Sequence, residues 1–465
     1  MVRHFVFTVF LSLTATLYAK VKLPSVFSSG MVLQQGQNIP VWGQADPGEA
    51  VTVTFAGQSS KATADKNGKW TLELKPLKAS AKPAVFTVKG YDTVTFRDVL
   101  VGEVWFCSGQ SNMEWRMSNI ENAEKEIPEA DNPLIRHFKV GRKSSPVPLD
   151  DIVSENHSQW IKTTPETIPG ISAVAYMFGR RLHQELKVPV GLINSSWGGT
   201  RIEPWIPSSG FKGIEALDDI RKHVETADPK NAILWNGMVA GLVPYAVKGA
   251  IWYQGESNRR DGMLYIEKTR ALVNGWRKEW GIPDLPYYLV QLAPYKYGGN
   301  EPYILPEMWE AQAAIPDAIK NTGYTVINDI GNLTDIHPRN KQDVGLRLAN
   351  QALNRTYGRK NIEWSGPVYK SFKIEKNRIR LSFEYNRELR TRNGKAPDWF
   401  EICGPDGRYE KADAVIDGET VLISSPKIEH PAGFRYAWHQ LAEPNLVNHL
   451  GLPTGAFRGG IKEEQ

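Results

Sequence analysis

Between Lys20 and about Leu100, apolar and polar positions alternate in short runs. Ile39-Pro-Val-Trp-Gly, Ala50-Val-Thr-Val-Thr-Phe, Lys69-Trp-Thr-Leu-Glu-Leu and Ala84-Val-Phe-Thr-Val put every second side chain on one face, the period of a half-buried strand. Asp46-Pro47-Gly48 and Lys66-Asn67-Gly68 read as the turns between them, since Pro presets φ and Asn-Gly tolerates positive φ. A small β-sandwich over residues 20–100 is the expectation. From Val101 the period changes. Strand-like runs at Val101–Cys107, Val190–Asn194, Lys248–Tyr253, Tyr287–Leu292 and Tyr324–Asn328 are interleaved with helical stretches. The helices are expected from Asn112 and over Val174–Leu186, Tyr265–Trp280 and Asp343–Leu353. Phe178, Leu182 and Leu186 fall at i, i+4 and i+8 of the second. Strands alternating with helices predict an α/β fold, a parallel sheet covered on both faces, with ligands at the carboxyl ends of its strands. The β pattern returns in Ser371–Ile374, Ile379–Phe383 and Thr420–Ile423. The expected order is therefore a β-sandwich (20–100), an α/β domain (101–358) and a C-terminal β domain (359–465).

Residues 1–19 read as a secretory signal peptide. Arg3 and His4 precede the apolar run Phe5–Leu17, which ends in Leu17-Tyr18-Ala19. That run is shorter than the roughly 20 residues a membrane-spanning helix needs. Export to the periplasm or the extracellular space is expected, with no membrane span.

Composition narrows the function. The chain of 465 residues is 41% hydrophobic and 23% charged, which excludes long disorder. Lys+Arg exceed Asp+Glu by 56 to 51 with no basic cluster, so nucleic acid is not an expected partner. Two cysteines, Cys107 and Cys403, cannot form a disulfide framework. Fifteen tryptophans are the unusual feature, and Trp105, Trp115, Trp197, Trp205 and Trp252 lie in or beside the segments described next. That placement is better explained by a sugar-lining pocket than by core filling alone, with several of the five expected in the core.

Four segments just past predicted strands carry candidate chemistry. Cys107-Ser-Gly-Gln-Ser-Asn-Met113 places Ser111 after a strand and a glycine turn, where a nucleophile's hydroxyl is exposed and its N–H can face an oxyanion. A plain helix cap is the competing reading. Asn194-Ser-Ser-Trp-Gly-Gly-Thr200, followed by Arg201, allows close approach of backbone to a ligand, with Gly199 a candidate oxyanion donor. In Gln254-Gly-Glu-Ser-Asn258, the Gln254 amide could point into the same site, and Glu256 could orient a base or bind substrate. Asp335-Ile-His337-Pro338 sets an acid two residues before a histidine, and Pro338 favours the extended backbone that puts both on one side. Asp335 could then hold Nδ1–H while Nε2 faces outward as a base. Among the other histidines only His137 has a comparable setting, without an acid two residues away. The nucleophile elbow Gly-x-Ser-x-Gly does not occur in the chain. Nor does His-Glu-x-x-His or a paired-Cys spacing, so neither metal nor other cofactor is expected.

Taken in order, Ser108–Met113, Trp197–Thr200, Gln254–Ser257 and Asp335–Pro338 resemble the four blocks of the sialate O-acetylesterase family, carbohydrate acetylesterases within the SGNH hydrolases. The resemblance spans about Val101 to Leu353. It implies a flavodoxin-like SGNH core and removal of O-acetyl groups from sugars, as sialate or hemicellulose esters, through an acetyl-serine intermediate. By it Ser111 is the nucleophile, His337 the base and Asp335 its partner. The oxyanion donors are Ser111, Gly199 and Gln254, and an acetylated glycan is the partner, contacted by Asn112, Trp197 and Arg201. Two positions depart from the pattern: Gln110 precedes the serine where Asp is usual, and Gln254 stands where many members have Asn. Glu256 is a rival to Asp335 as the triad acid. Two other function classes stay open: a glycoside hydrolase using paired carboxylates such as Glu203 and Glu256, and a glycan-binding protein with an inactive core.

Overall fold

The computed structural model describes residues 20–153, 159–225, 231–298 and 301–461. The expected signal, residues 1–19, lies outside the described residues. At the centre is a sheet of seven strands: β1 (Thr93–Gly109), β2 (Asn132–Lys139), β3 (Ile161–Thr163), β4 (Val190–Ser196), β5 (Gly249–Tyr253), β6 (Tyr287–Val290) and β7 (Thr322–Thr325). Their order is β7-β6-β5-β1-β4-β2-β3, parallel throughout except for β3 at the edge. The chain leaves β1 towards β4 and β2 on one side, then crosses to β5 on the other. The crevice where the order reverses, at the carboxyl end of β1, is where α/β sheets of this kind bind ligands.

Strands buried on both faces send alternate side chains into two cores. Trp105 and Cys107 of β1, Leu192 of β4 and Ile251 of β5 enter one, with Phe178 and Leu182 of α2 (Ala173–Leu186) and Val344 and Leu348 of α5 (Lys341–Arg355). Phe106, Ile193 and Trp252 enter the other, against Leu272 and Trp276 of α3 (Leu264–Trp280) and Trp309 of α4 (Ile304–Ala318). Trp105, Trp205 and Trp252 are fully buried here, which corrects the expectation that they line a sugar pocket. Only Trp115 and Trp197 of the five are partly exposed.

The first half of β1 belongs to a different layer. There it pairs antiparallel with Ser80–Lys89 in the N-terminal sandwich, whose second sheet pairs Ile39–Gln44 with Lys69–Leu74. One strand of 17 residues thus runs through the expected boundary at residues 100 and 101, with no linker. At the other end of the chain lie two four-stranded antiparallel sheets and a two-stranded pair, Arg390–Thr391 with Leu446–Val447. The last core strand is shifted from the expected Tyr324–Asn328 to Thr322–Thr325. Past Thr325 the chain serves other partners: the Val326 carbonyl accepts from Arg347 Nη1 (2.9 Å), and the Asn328 side-chain amide donates to the Thr454 carbonyl (2.9 Å).

Candidate active site

Gly109 ends β1 at φ +141, and a Cβ there would run into the Tyr253 carbonyl of β5, so only glycine lets the two strand ends approach this closely. Gln110 N–H donates to that carbonyl (3.0 Å), and Trp197 N–H, after β4, donates to Gly109 O (3.1 Å). Ser111 then opens the single-turn helix α1 (Ser111–Glu114), shorter than the helix expected from Asn112. The turn is tied down by α2: Ser172 Oγ donates to Met113 O (2.6 Å) while capping Ala175 N, and Ala173 N–H donates to Trp115 O (2.8 Å).

His337 arrives on the loop after β7. Its own N–H donates to Asp335 Oδ1 (2.9 Å), which folds the segment so that Nδ1 lies 3.5 Å from the same oxygen. Nε2 lies 2.9 Å from Ser111 Oγ, 226 residues away in sequence. The Trp115 indole stacks on the imidazole, ring centroids 4.7 Å apart and 16° from parallel. Burial holds the imidazole's pKa below its ordinary 6.5, the nearby Lys341 cation adds to that, and Asp335 opposes it. A neutral imidazole beside a hydroxyl is the state a general base needs.

The glycine turn after β4 closes over this pair. A Cβ on Gly198 would sit 3.1 Å from Ser111 Cβ, and Gly198 N–H donates to Glu114 Oε2 (3.2 Å). Glu114 also takes two hydrogen bonds from Arg142 Nη2 (2.6 Å each), and Arg142 lies over the Trp197 ring. Glu114 and Arg142 went unnoticed in the sequence because nothing in their spacing points to a glycine turn more than fifty residues away. Gly199 is exposed, with φ +75, and its N–H has no acceptor among the described residues.

Gln254 is a correction. It is fully buried, and its amide donates to Thr200 O (3.1 Å) and Asn258 Oδ1 (2.8 Å) while its Oε1 accepts from Tyr265 (2.9 Å). Both amide protons are committed, so it braces the loop carrying Gly199 and has none left for an oxyanion. Asn112, expected to touch substrate, is 1% exposed and fully engaged as well. Its Nδ2 donates to Glu256 Oε1 (2.5 Å) and Ile336 O (3.1 Å), and its Oδ1 accepts from Lys341 Nζ (2.5 Å). Glu256 is buried against Asn112, and burial raises its pKa. The carboxylate beside His337 is that of Asp335.

Arg201 is half-exposed, but its guanidinium binds Glu203 Oε1 (2.8 Å), Asp261 Oδ1 (3.1 Å) and Ser257 O (2.8 Å), tying the loops after β4 and β5 together. Lys268 Nζ also binds Glu203 and Asp261, at 2.7 Å each. Burial alone would raise the Glu203 pKa, but Arg201 and Lys268 bring it down to about 2. Glu203 is buried and both its oxygens are taken by Arg201, Lys268 and Asn258, so it offers no free carboxylate to a sugar, which counts against the Glu203–Glu256 pair. His137 is a core histidine: Nε2 meets Thr163 Oγ1 at 2.9 Å, and burial takes its pKa down to about 3. Cys107 and Cys403 are free and buried. Among the described residues no group of His, Cys, Asp and Glu is placed to hold a metal ion, and no helix is long and apolar enough to cross a membrane.

The chain is similar to known carbohydrate esterases. Residues 101–354 match the family model described as "Carbohydrate esterase, sialic acid-specific acetylesterase". Sialate O-acetylesterase of Homo sapiens is 31% identical over 458 residues, covering 90% of this chain and 87% of its own. The Mus musculus enzyme is 32% identical over 485 residues, with 90% and 89% covered. A solved carbohydrate acetylesterase from Xanthomonas citri superposes with a TM-score of 0.87 at 36% identity, covering 95% of this chain and 99% of its own. With 90% of its length covered by the human enzyme at 31% identity and residues 101–354 matched by the family model, the chain belongs to the sialate O-acetylesterase family of carbohydrate esterases.

Proposed function

We propose that this chain removes O-acetyl groups from carbohydrates, sialate or hemicellulose esters, as a serine esterase with Ser111 as nucleophile. Membership of a carbohydrate acetylesterase family supports the deacetylation. The observation that carries the serine mechanism is the 2.9 Å contact between Ser111 Oγ and His337 Nε2 at the sheet's switch point. As Oγ attacks the acetyl carbonyl carbon, its proton passes to Nε2. Asp335 faces Nδ1–H and stabilises the imidazolium. The oxyanion accepts from the backbone N–H groups of Ser111 and Gly199. When the tetrahedral adduct collapses, the C–O bond to the sugar breaks and the leaving oxygen takes the proton from Nε2. Water, deprotonated by the same imidazole, then releases acetate from acetyl-Ser111. Trp197 and Trp115, the partly exposed indoles here, are positioned to meet the sugar. The reading of residues 1–19 as a signal places this activity outside the cytoplasm, and N-terminal sequencing of the mature protein tests that.

The deciding experiment measures acetate release from p-nitrophenyl acetate, acetylated xylan and O-acetylated sialic acid, for the wild type and Ser111→Ala. Activity in the wild type and none in the variant is expected. Undiminished activity in Ser111→Ala overturns the assignment of the nucleophile. A wild type inert on every acetyl ester that still binds glycan revives the binding-protein reading.

A further inference from the structure

Behind the Ser111–His337 pair lies a buried polar cluster that the proposed reaction does not use directly. Lys341, the first residue of α5, is fully buried. Its Nζ donates to Asn112 Oδ1 (2.5 Å) and sits 5.1 Å from the Tyr253 ring and 5.9 Å from the Trp115 ring. An ammonium only donates, whereas a carboxylate and a carbonyl only accept. The Asn112 carboxamide therefore has one allowed orientation, with oxygen towards Lys341 and NH₂ towards Glu256 Oε1 and Ile336 O. Flipped, it would set its NH₂ against a cation and its oxygen against a carboxylate. Asn112 neighbours Ser111 in the chain, and Ile336 neighbours His337. One carboxamide thus joins the segment carrying the nucleophile to the segment carrying the base.

We propose that Lys341 is a positioning residue of the esterase: by fixing the Asn112 carboxamide it clamps the Ile336-His337 segment onto the turn bearing Ser111, and so sets the separation of nucleophile and base. This rests on the reading of Ser111 and His337 given above. The ionisable groups that act on Lys341 or feel its charge are Glu256, Asp335 and His337. Burial lowers the ammonium's pKa to about 7, while Glu256 and Asp335 favour its charged form. Its charge in turn favours neutral His337. Removing it thus acts twice, loosening the clamp and raising the pH at which His337 becomes a free base.

The test compares Lys341→Met with the wild type and Ser111→Ala on p-nitrophenyl acetate, as a pH profile of kcat and KM with melting temperatures alongside. Misplacing a reacting group by about 1 Å costs on the order of 100-fold, so kcat is expected to fall by about that factor. KM should hold within about twofold, the signature of an interaction that matters only in the transition state. The acidic limb of kcat/KM should move to higher pH, a displacement that general loosening would not produce. Lys341→Met leaves Glu256 buried without its cation, so Lys341→Met/Glu256→Gln, which removes both charges, is assayed too and should show the same loss of kcat. Near-normal kcat in either folded variant overturns the proposal, as does a loss confined to KM or an unmoved acidic limb. Failure of both variants to fold also overturns it, by assigning Lys341 to stability alone. If Ser111→Ala is dead while the Lys341 variants are active, only this inference falls; if Ser111→Ala is active, the reading beneath it falls.

Discussion

Replacing Gly198 by alanine measures how closely the glycine turn is fitted to Ser111, the proposed nucleophile. The added Cβ would lie 3.1 Å from Ser111 Cβ, 3.5 Å from Ser111 Cα and 3.6 Å from Glu114 Oε2. Carbon atoms rest at about 3.5–4.0 Å, so one side must yield by about half an ångström. The turn is held by Glu114 on Gly198 N–H and by Gly109 O on Trp197 N–H. The serine is held through Met113 and Gln110. With both backbones tied, the displacement falls on the Ser111 side chain, whose Oγ has the 2.9 Å contact with His337 to lose. If ~1 Å costs ~100-fold, half of that costs about tenfold in kcat, or ~1.4 kcal/mol of barrier. Stability should barely change. Gly198 is not among the glycines with positive φ, and alanine at a compatible position gains about 0.4–1 kcal/mol from the unfolded chain. The assay is steady-state kcat and KM on p-nitrophenyl acetate, with melting temperature alongside. Wild-type kcat would refute the reasoning, as would a kcat loss that merely tracks a large drop in melting temperature.

Other consequences can be checked with simple variants. Because the His337 pKa is held below 6.5 and the base must be neutral, kcat/KM should rise with pH along an acidic limb whose midpoint lies under that value; a midpoint above 6.5 contradicts the environment described. Glu203, its pKa lowered from 4.5 to about 2, contributes stability that is complete above pH 4.5 and lost as pH falls through 2. The loss amounts to about 3 kcal/mol, so acid melts of Glu203→Gln should be flatter across that window than those of the wild type. Gln254→Ala strips hydrogen bonds from the Thr200 carbonyl, Asn258 and Tyr265. It should lower stability by about 2–3 kcal/mol in urea melts, while kcat falls by less than the ~100–1,000-fold of a lost oxyanion donor.

What the sequence disclosed follows the range of the interactions involved. Asp335 and His337 were legible because they stand two residues apart, although a local turn closed by the His337 N–H on Asp335 Oδ1, and not the expected extended backbone, brings them together. β5 and α3 were legible because buried runs and helical periodicity are local. The partners of Asn112 were not: Lys341 lies 229 residues away and Glu256 144, and no periodicity relates them. Gln254 sat in the right block, yet its amide direction is decided by Asn258 and Thr200, which a linear reading cannot orient. Nor does a tryptophan's type tell which side of a strand it occupies, so Trp105 and Trp252 were read as pocket walls when they belong to opposite cores. Of β1 only Val101–Cys107 is legible, because the strand's environment changes halfway. Thr93–Asp98 alternates between exposed and half-buried positions, whereas Val99–Gly109 is buried throughout.

That single strand has a mechanical meaning. A flanking domain joined by a linker can be cut away, shuffled or replaced without disturbing its neighbour. Here the strand that leads into Ser111 begins as a rung of the sandwich, so pulling on one layer pulls on the strand that positions Ser111. Cutting at residue 100 would give the hydrolase core a ragged, unpaired strand end in place of the continuous ladder with Ser80–Lys89 and Val32–Gln34. With one strand shared between them, the sandwich and the core should melt in a single transition.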